Sequence, residues 1–137
     1  MGATKLCFVV QRPPYKSENA RLALTHSISS QTAEIHLEDG DTVVPTLIFV
    51  GDGVLNAVKN QQAMKHYGVT STESHIKNGL LIDMPIWICK EDMQRLGLTE
   101  AQVITDAEDM GAELKMKFAS FDEILKEMDA CPHLFFF

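Results

Sequence analysis

Cys89 is the residue of this chain whose type and position most favour chemistry. It follows Met84-Pro-Ile-Trp-Ile88, which reads as a buried strand. It precedes Lys90-Glu91-Asp92-Met93-Gln94-Arg95-Leu96, which reads as a short helix closed by Gly97. A cysteine between a strand and a helix can have amide N–H groups aimed at its sulfur. A helix N-terminus favours negative charge and lowers a thiol's pKa, making a nucleophilic thiolate. Lys90 adds a nearby cation, while Glu91 and Asp92 oppose it. The alternative is a buried cysteine serving as a small hydrophobe, and the residues alone leave both readings open.

The other two cysteines differ in setting. Cys7 lies among Leu6, Phe8 and Val9, inside an apolar run, and reads as core. Cys131 precedes Pro132 at the last helix-to-strand turn, at the opposite end of the sheet from Cys89, and reads as structural or as a free thiol. Three widely spaced cysteines with no CxxC argue against a disulfide scaffold and against a structural zinc site. His26, His36, His66, His75 and His133 are scattered, with no pair at metal-ligand spacing, so neither a metal nor a cofactor is expected. Gly51-Asp52-Gly53 could meet an anion through backbone amides, but it is no P-loop, and no GxGxxG follows the first strand. Asp52 reads more simply as a cap for a helix beginning at Val54. There is no GxSxG elbow. Gln11-Arg12 and Cys89 stand where a phosphorelay receiver would need acids after strands 1 and 3, which rejects that reading.

The elements that hold these residues follow from periodicity. Residues 5–10, 46–50 and 84–88 are short apolar runs of the kind buried on both faces of a parallel sheet. Pro45 stands at the entrance of the second. A helix is expected over 17–30 with Ser17 as N-cap, and another from Val54, stopping before Gly68. Thr70 with Glu73, Thr99 with Gln102 and Ser120 with Glu123 each fit a capping box. They predict helices from about 70, from 99 to 110, and over 121–129. Ala112, Leu114, Met116 and Phe118 alternate with polar residues, as in a strand near a sheet edge. His133-Leu-Phe-Phe-Phe137 reads as a closing buried strand. In the stretch 29–42, Ala33, Ile35 and Leu37 alternate ahead of a Glu38–Asp41 turn. An extra ribbon and a helix extension both fit there. Strands alternating with helices imply an α/β fold: three layers, α/β/α, around a five-stranded, mostly parallel sheet. No repeat or linker divides it, so residues 1–137 are expected to form one domain.

The whole chain bounds the possibilities further. Of its 137 residues 45% are apolar and 23% charged, as in globular proteins. Twelve Lys and Arg against nineteen Asp and Glu give a net charge of −7, a poor surface for nucleic-acid backbones. No run approaches the ~20 residues of a membrane span, and Leu6 to Val10 is too short for a signal-peptide core. A cytoplasmic protein with reduced thiols is expected, without direct nucleic-acid or membrane partners.

Several segments resemble the DsrE/DsrF-like sulfur-relay family, which includes TusD. Pro14-Tyr15-Lys16-Ser17-Glu18 is similar to its "APYGSE"-type segment, with Lys16 where the family often has Gly. Phe49-Val50-Gly51-Asp52-Gly53-Val54 is similar to its "FxxDGV" segment. Trp87-Ile88-Cys89 with Arg95-Leu96-Gly97-Leu98 resembles its cysteine strand and following turn, and Leu134 to Phe137 its terminal strand. The resemblance implies a subunit of homo- or hetero-oligomers with similar chains. It also implies that Cys89 carries sulfur as a persulfide between donor and acceptor proteins. A partner would have to reach that sulfur, so Cys89 is expected in an exposed or interfacial pocket. Tyr15, Asp52 and Gly53 are expected to form its wall, with Lys90 beside it. Two other functions fit the same residues: a non-catalytic assembly or regulatory subunit with Cys89 inert, and a small-ligand binder at the Gly51–Gly53 end.

Overall fold

The computed structural model describes residues 2–33, 38 and 40–137. Ile35, His36, Leu37 and Asp39 lie outside the described residues, and with them the ribbon or helix extension expected there.

Five strands form one parallel sheet in the order β4-β3-β2-β1-β5. They are β1 (Ala3–Val10), β2 (Thr42–Phe49), β3 (Ile86–Cys89), β4 (Lys117–Ala119) and β5 (His133–Phe136). The three apolar runs supply the three central strands. Cys7 to Val10 and Pro45 to Phe49 are buried throughout, as expected of strands covered on both faces. Helices α1 (Asn19–Thr32) and α3 (Thr72–Leu81) pack together on one face. Helix α5 (Phe121–Ala130) lies on the other, where its Ile124, Leu125 and Met128 share a cavity with Val9 and Phe136. Two short helices, α2 (Ala63–Tyr67) and α4 (Lys90–Arg95), sit in the connections.

Local signals explain several boundaries. Ser120 Oγ accepts from the Glu123 amide, and Glu123 Oε1 accepts from the Ser120 amide, which fixes the start of α5. Gly97, with φ +71°, ends α4 in the left-handed conformation that L residues resist.

Several expectations need correction. Ser17 does not cap α1, whose N-cap position is Glu18, and of the alternating stretch 112–118 only Lys117 and Phe118 lie in β4. The helix anticipated from Val54 begins earlier, as a 3-10 turn over Gly51–Ala57, and Asp52 does not cap it. The helix α3 is capped by Ser71, whose Oγ accepts from Ser74 N at 3.1 Å. Glu73 leaves the anticipated box with Thr70 and instead accepts the amides of Asn60 and Gln61. The Thr99–Gln102 box forms, but only a 3-10 turn follows it. Val103 bridges to Val58, and the Ile104 amide donates to Ala57 O at 2.8 Å, so the backbone there is spent on pairing rather than on a helix. Finally, β5 is a strand but not a buried one. It stands at the sheet edge with all four residues exposed.

Candidate functional site

The carboxyl ends of β1, β2 and β3 meet where ligands gather in open parallel sheets. Cys89 is there, as the last residue of β3 and the residue preceding α4. Its side chain is not presented to solvent: Cys89 is 0% exposed. This corrects the expectation of an open thiol. Burial pushes the Cys89 thiol above its ordinary value. The amides of Asp92 and Glu91 pull the other way, while the Asp92 carboxylate adds to the rise. The helix effect read from the sequence is therefore present but outweighed.

Two carboxylates dominate the surroundings. Glu91 Oε1 accepts from the Cys89 thiol at 3.9 Å. The same carboxylate accepts the Phe121 amide through both oxygens at 3.0 Å, which ties the first residue of α5 to the thiol's neighbour. Asp92 Oδ2 accepts the Gly51 amide at 2.6 Å, and Oδ1 accepts from Arg95 Nε at 3.3 Å. Burial opposes ionisation of Asp92. The Gly51 amide, the Cys89 thiol and the Arg95 guanidinium overcome that, and its carboxyl titrates below the usual range. Both acids were legible only as charges opposing Lys90. Their partners, Phe121 and Gly51, lie 30 and 41 residues away in sequence.

An apolar cavity of about 400 Å³ opens beside this cluster. Gly51 and Asp92 form its polar side, and Val9, Phe121, Leu125 and Phe136 much of the rest.

The other predicted site residues separate. Asp52 is exposed and pairs with Arg95 at 3.3 Å. Gly53 is buried beneath the end of β1, where a Cβ would meet Val10 O at 2.0 Å, so it serves close backbone packing rather than a pocket wall. Lys90 is exposed and lines a different depression with Met93, Gln94 and Phe118. Tyr15 lies with Ser17, Arg21 and Tyr67 around a third, small cavity. Its hydroxyl donates to Gln61 Oε1 and accepts from the Thr72 amide, and its ring stacks on Tyr67 at 5.5 Å. It braces the start of α3, with φ at +68°, a strained value for a non-glycine residue. Asn56, unremarked in the sequence, is fully buried and donates to the carbonyls of Arg12 and Gly53, joining the loop after β1 to the turn after β2.

Cys7 is fully buried, as expected, and its thiol is raised by burial and by the Cys131 thiol against it. Cys131 donates to Glu127 Oε1 at 3.8 Å, and Lys5 pairs with the same oxygen at 3.0 Å. All three cysteines are free. Among the described residues, no three His, Cys, Asp or Glu side chains converge as metal ligands. No helix among them is long and apolar enough to cross a membrane.

A profile of the DsrE/DsrF-like family matches residues 4–137. The chain belongs to the DsrE/DsrF-like family. Solved structures agree in fold. The ychN protein of E. coli superposes with a TM-score of 0.74 at 14% identity, over 98% of this chain and 99% of that one. MTH1491 from Methanobacterium thermoautotrophicum, a protein of unknown function, gives 0.59 at 11% identity, over 97% of this chain and 98% of its own. BT1422 from Bacteroides thetaiotaomicron, also of unknown function, gives 0.56 at 10%, over 97% and 94%. At such identities the likeness concerns the fold. No curated protein matches the sequence.

Proposed function

We propose that this DsrE/DsrF-like chain is a cytoplasmic sulfur-carrier or sulfurtransferase subunit. It takes a sulfane sulfur from a donor as a persulfide on Cys89 and passes it to a thiol on an acceptor protein. One observation carries the reading: a free thiol stands at the carboxyl end of β3 with a carboxylate, Glu91 Oε1, 3.9 Å away to take its proton.

The chemistry is thiol exchange at divalent sulfur. The Cys89 proton passes to Glu91, and the sulfur attacks the outer sulfur of a donor persulfide, R–S–SH. The donor S–S bond breaks as the Cys89 S–S bond forms. RS⁻ leaves and takes up the proton, giving RSH and Cys89–S–SH with no net redox change. An acceptor thiolate repeats the step on the outer sulfur and regenerates Cys89. Because the thiol is covered and raised at rest, exchange requires its cover to open. Glu91 is placed to couple the two events, since it holds both the thiol and the first amide of α5. Phe121, released with that amide, lines the apolar cavity in which a partner would lie.

The same burial favours a second reading, a non-catalytic assembly or regulatory subunit in which Cys89 is inert. Intact-mass measurement after treatment with polysulfide separates the two. The carrier reading expects a gain of one sulfur atom that disappears in Cys89→Ser. Gain only on Cys7 or Cys131, or none, assigns the chain to the second.

A further inference from the structure

The chemistry proposed for Cys89 leaves the other two cysteines without a role, yet these two stand against each other. Leu6 and Phe8 face α1, so Lys5, Cys7 and Val9, which alternate with them along β1, share the face on which α5 lies. Ile124, Glu127, Met128 and Cys131 recur at helical spacing along α5 and the residue that ends it. The two patterns meet at the C-terminal end of the helix. Lys5 Nζ pairs with Glu127 Oε1 at 3.0 Å, and Cys131 Sγ donates to that same oxygen at 3.8 Å. The Cys7 thiol in turn hydrogen-bonds the Cys131 sulfur. A line of contacts thus runs from Cys7 through Cys131 to a carboxylate that a lysine holds in place.

We propose that Cys7 and Cys131 form a second thiol site, separate from Cys89, which a hydroperoxide converts to a disulfide: Cys131 reacts first and Cys7 closes the bond. Access sets the order. Cys131 is 6% exposed, while Cys7 and Cys89 are both 0% exposed, so an oxidant as small as hydrogen peroxide meets Cys131 first. Hydrogen bonding sets it too. Glu127 stands ready to take the Cys131 proton, and Cys7 donates to the sulfur left behind. Burial raises both thiols, but their mutual bond lowers Cys131 and raises Cys7, so Cys131 is the better placed of the two to ionise. Finally, Cys131 has room to move. Its amide donates to Met128 O at 3.2 Å, Pro132 has no N–H, and pairing with β1 begins only at His133. The two sulfurs can therefore close to a bond length of about 2.05 Å without breaking the ladder.

The steps balance with the hydroperoxide as the sole oxidant. The Cys131 proton passes to Glu127 as the sulfur attacks the terminal oxygen of R–O–OH. The O–O bond breaks, an S–O bond forms, and RO⁻ recovers the proton from Glu127 and leaves as ROH. Cys131 is then a sulfenic acid, S–OH. The Cys7 sulfur attacks the Cys131 sulfur, the S–O bond breaks and the S–S bond forms. Hydroxide leaves with the Cys7 proton as water. Two thiols are oxidised by two electrons in all, and one hydroperoxide is reduced to an alcohol and water. The bond ties the C-terminal end of α5 to β1, and an external dithiol reverses it by exchange. None of these steps depends on sulfur carriage by Cys89.

Limiting hydrogen peroxide added to the reduced full-length chain tests this. Remaining thiols are then capped with N-ethylmaleimide under denaturing conditions, and peptides are weighed without reductant. The expected product is one linked pair of peptides joining Cys7 to Cys131, lost on treatment with dithiothreitol, with Cys89 recovered as its maleimide adduct. In Cys7→Ser, dimedone should label Cys131 as the stalled sulfenic acid. In Cys131→Ser, Cys7 should stay reduced and unlabelled. The wild-type peptide map requires no variant to fold, so it decides the question by itself. Oxidised Cys131 with Cys7 still capped as a thiol, a main disulfide that includes Cys89, or loss of all three thiols at equal rates would each overturn the proposal. So would resistance of Cys7 and Cys131 to peroxide that oxidises them in the urea-unfolded chain.

Discussion

The Asp92 carboxylate accepts the Gly51 amide at 2.6 Å, joining the first turn of α4 to the residue two beyond the end of β2. The bond sets the spacing between two strand ends at the mouth of the sheet. Asp92 also stands against Cys89, so one side chain bears on both the architecture of the site and the protonation of its thiol. These two roles respond differently to substitution.

The structural role has a pH signature. The Asp92 carboxyl is held below the ordinary range in the folded chain, chiefly by the Gly51 amide against the opposing effect of burial. A carboxyl depressed on folding contributes stability that is complete above its unfolded pKa, near 4, and is lost as pH falls through its lower folded value. Asp92→Asn should cost up to about 1.5–3 kcal/mol at neutral pH, the range for hydrogen bonds to a charged group. It should also flatten the decline in stability below about pH 4. Urea titrations from acid to neutral pH measure both. An unchanged acid slope would assign the decline to other carboxyls.

The electrostatic role has the opposite sign for reactivity. Burial first, then the Asp92 charge, keeps the Cys89 thiol protonated beyond the ordinary thiol range. Removing the charge in Asp92→Asn should move the pH midpoint of Cys89 alkylation downward. Greater exposure caused by a loosened cover would raise the rate at every pH without that shift. Iodoacetamide labelling resolved by peptide mass, run against pH, reads the midpoint. A midpoint that stays or rises would remove Asp92 from the control of the thiol.

What the sequence disclosed follows the range of the forces involved. Strands buried on both faces announce themselves as unbroken apolar runs, and β1 to β3 were legible for that reason. The Ser120–Glu123 box closes within one turn and was legible too. The segment after Gln102 was misread because its competitor is distant: Ile104 gives its amide to Ala57. The position of Cys89 at a strand-to-helix junction was evident, but its burial was not, since burial depends on which distant residues pack around a side chain, and its neighbour Glu91 binds the Phe121 amide 30 residues away. Tyr15 and Gly53 were drawn into one pocket with Cys89 because strand ends cluster in this fold. Which side chains then turn toward the cluster depends on packing across the loops, such as Tyr15 on Tyr67. Strand β5 has the composition of a core strand, but it pairs only with β1 and stands at the edge of the sheet, a placement set by strand order rather than by local sequence.

Gly53 separates close packing from backbone conformation as reasons for a glycine. A Cβ there would lie 2.0 Å from Val10 O and 2.7 Å from Val10 C. Both are backbone atoms of a central strand, and Val10 O already accepts the Val50 amide at 3.0 Å. Neither can withdraw without breaking the pairing of β1 with β2. Gly97 has open space around its missing Cβ and only a positive φ, +71°. Gly97→Ala should therefore cost about 1–2 kcal/mol, the penalty of an L residue in the left-handed region. Gly53→Ala should cost at least about 3 kcal/mol, in the range reserved for severe overpacking, or prevent folding. Denaturant midpoints of the two variants measure the difference. Equal losses would show that the turn after β2 yields, and that Gly53 is not what fixes its approach to β1.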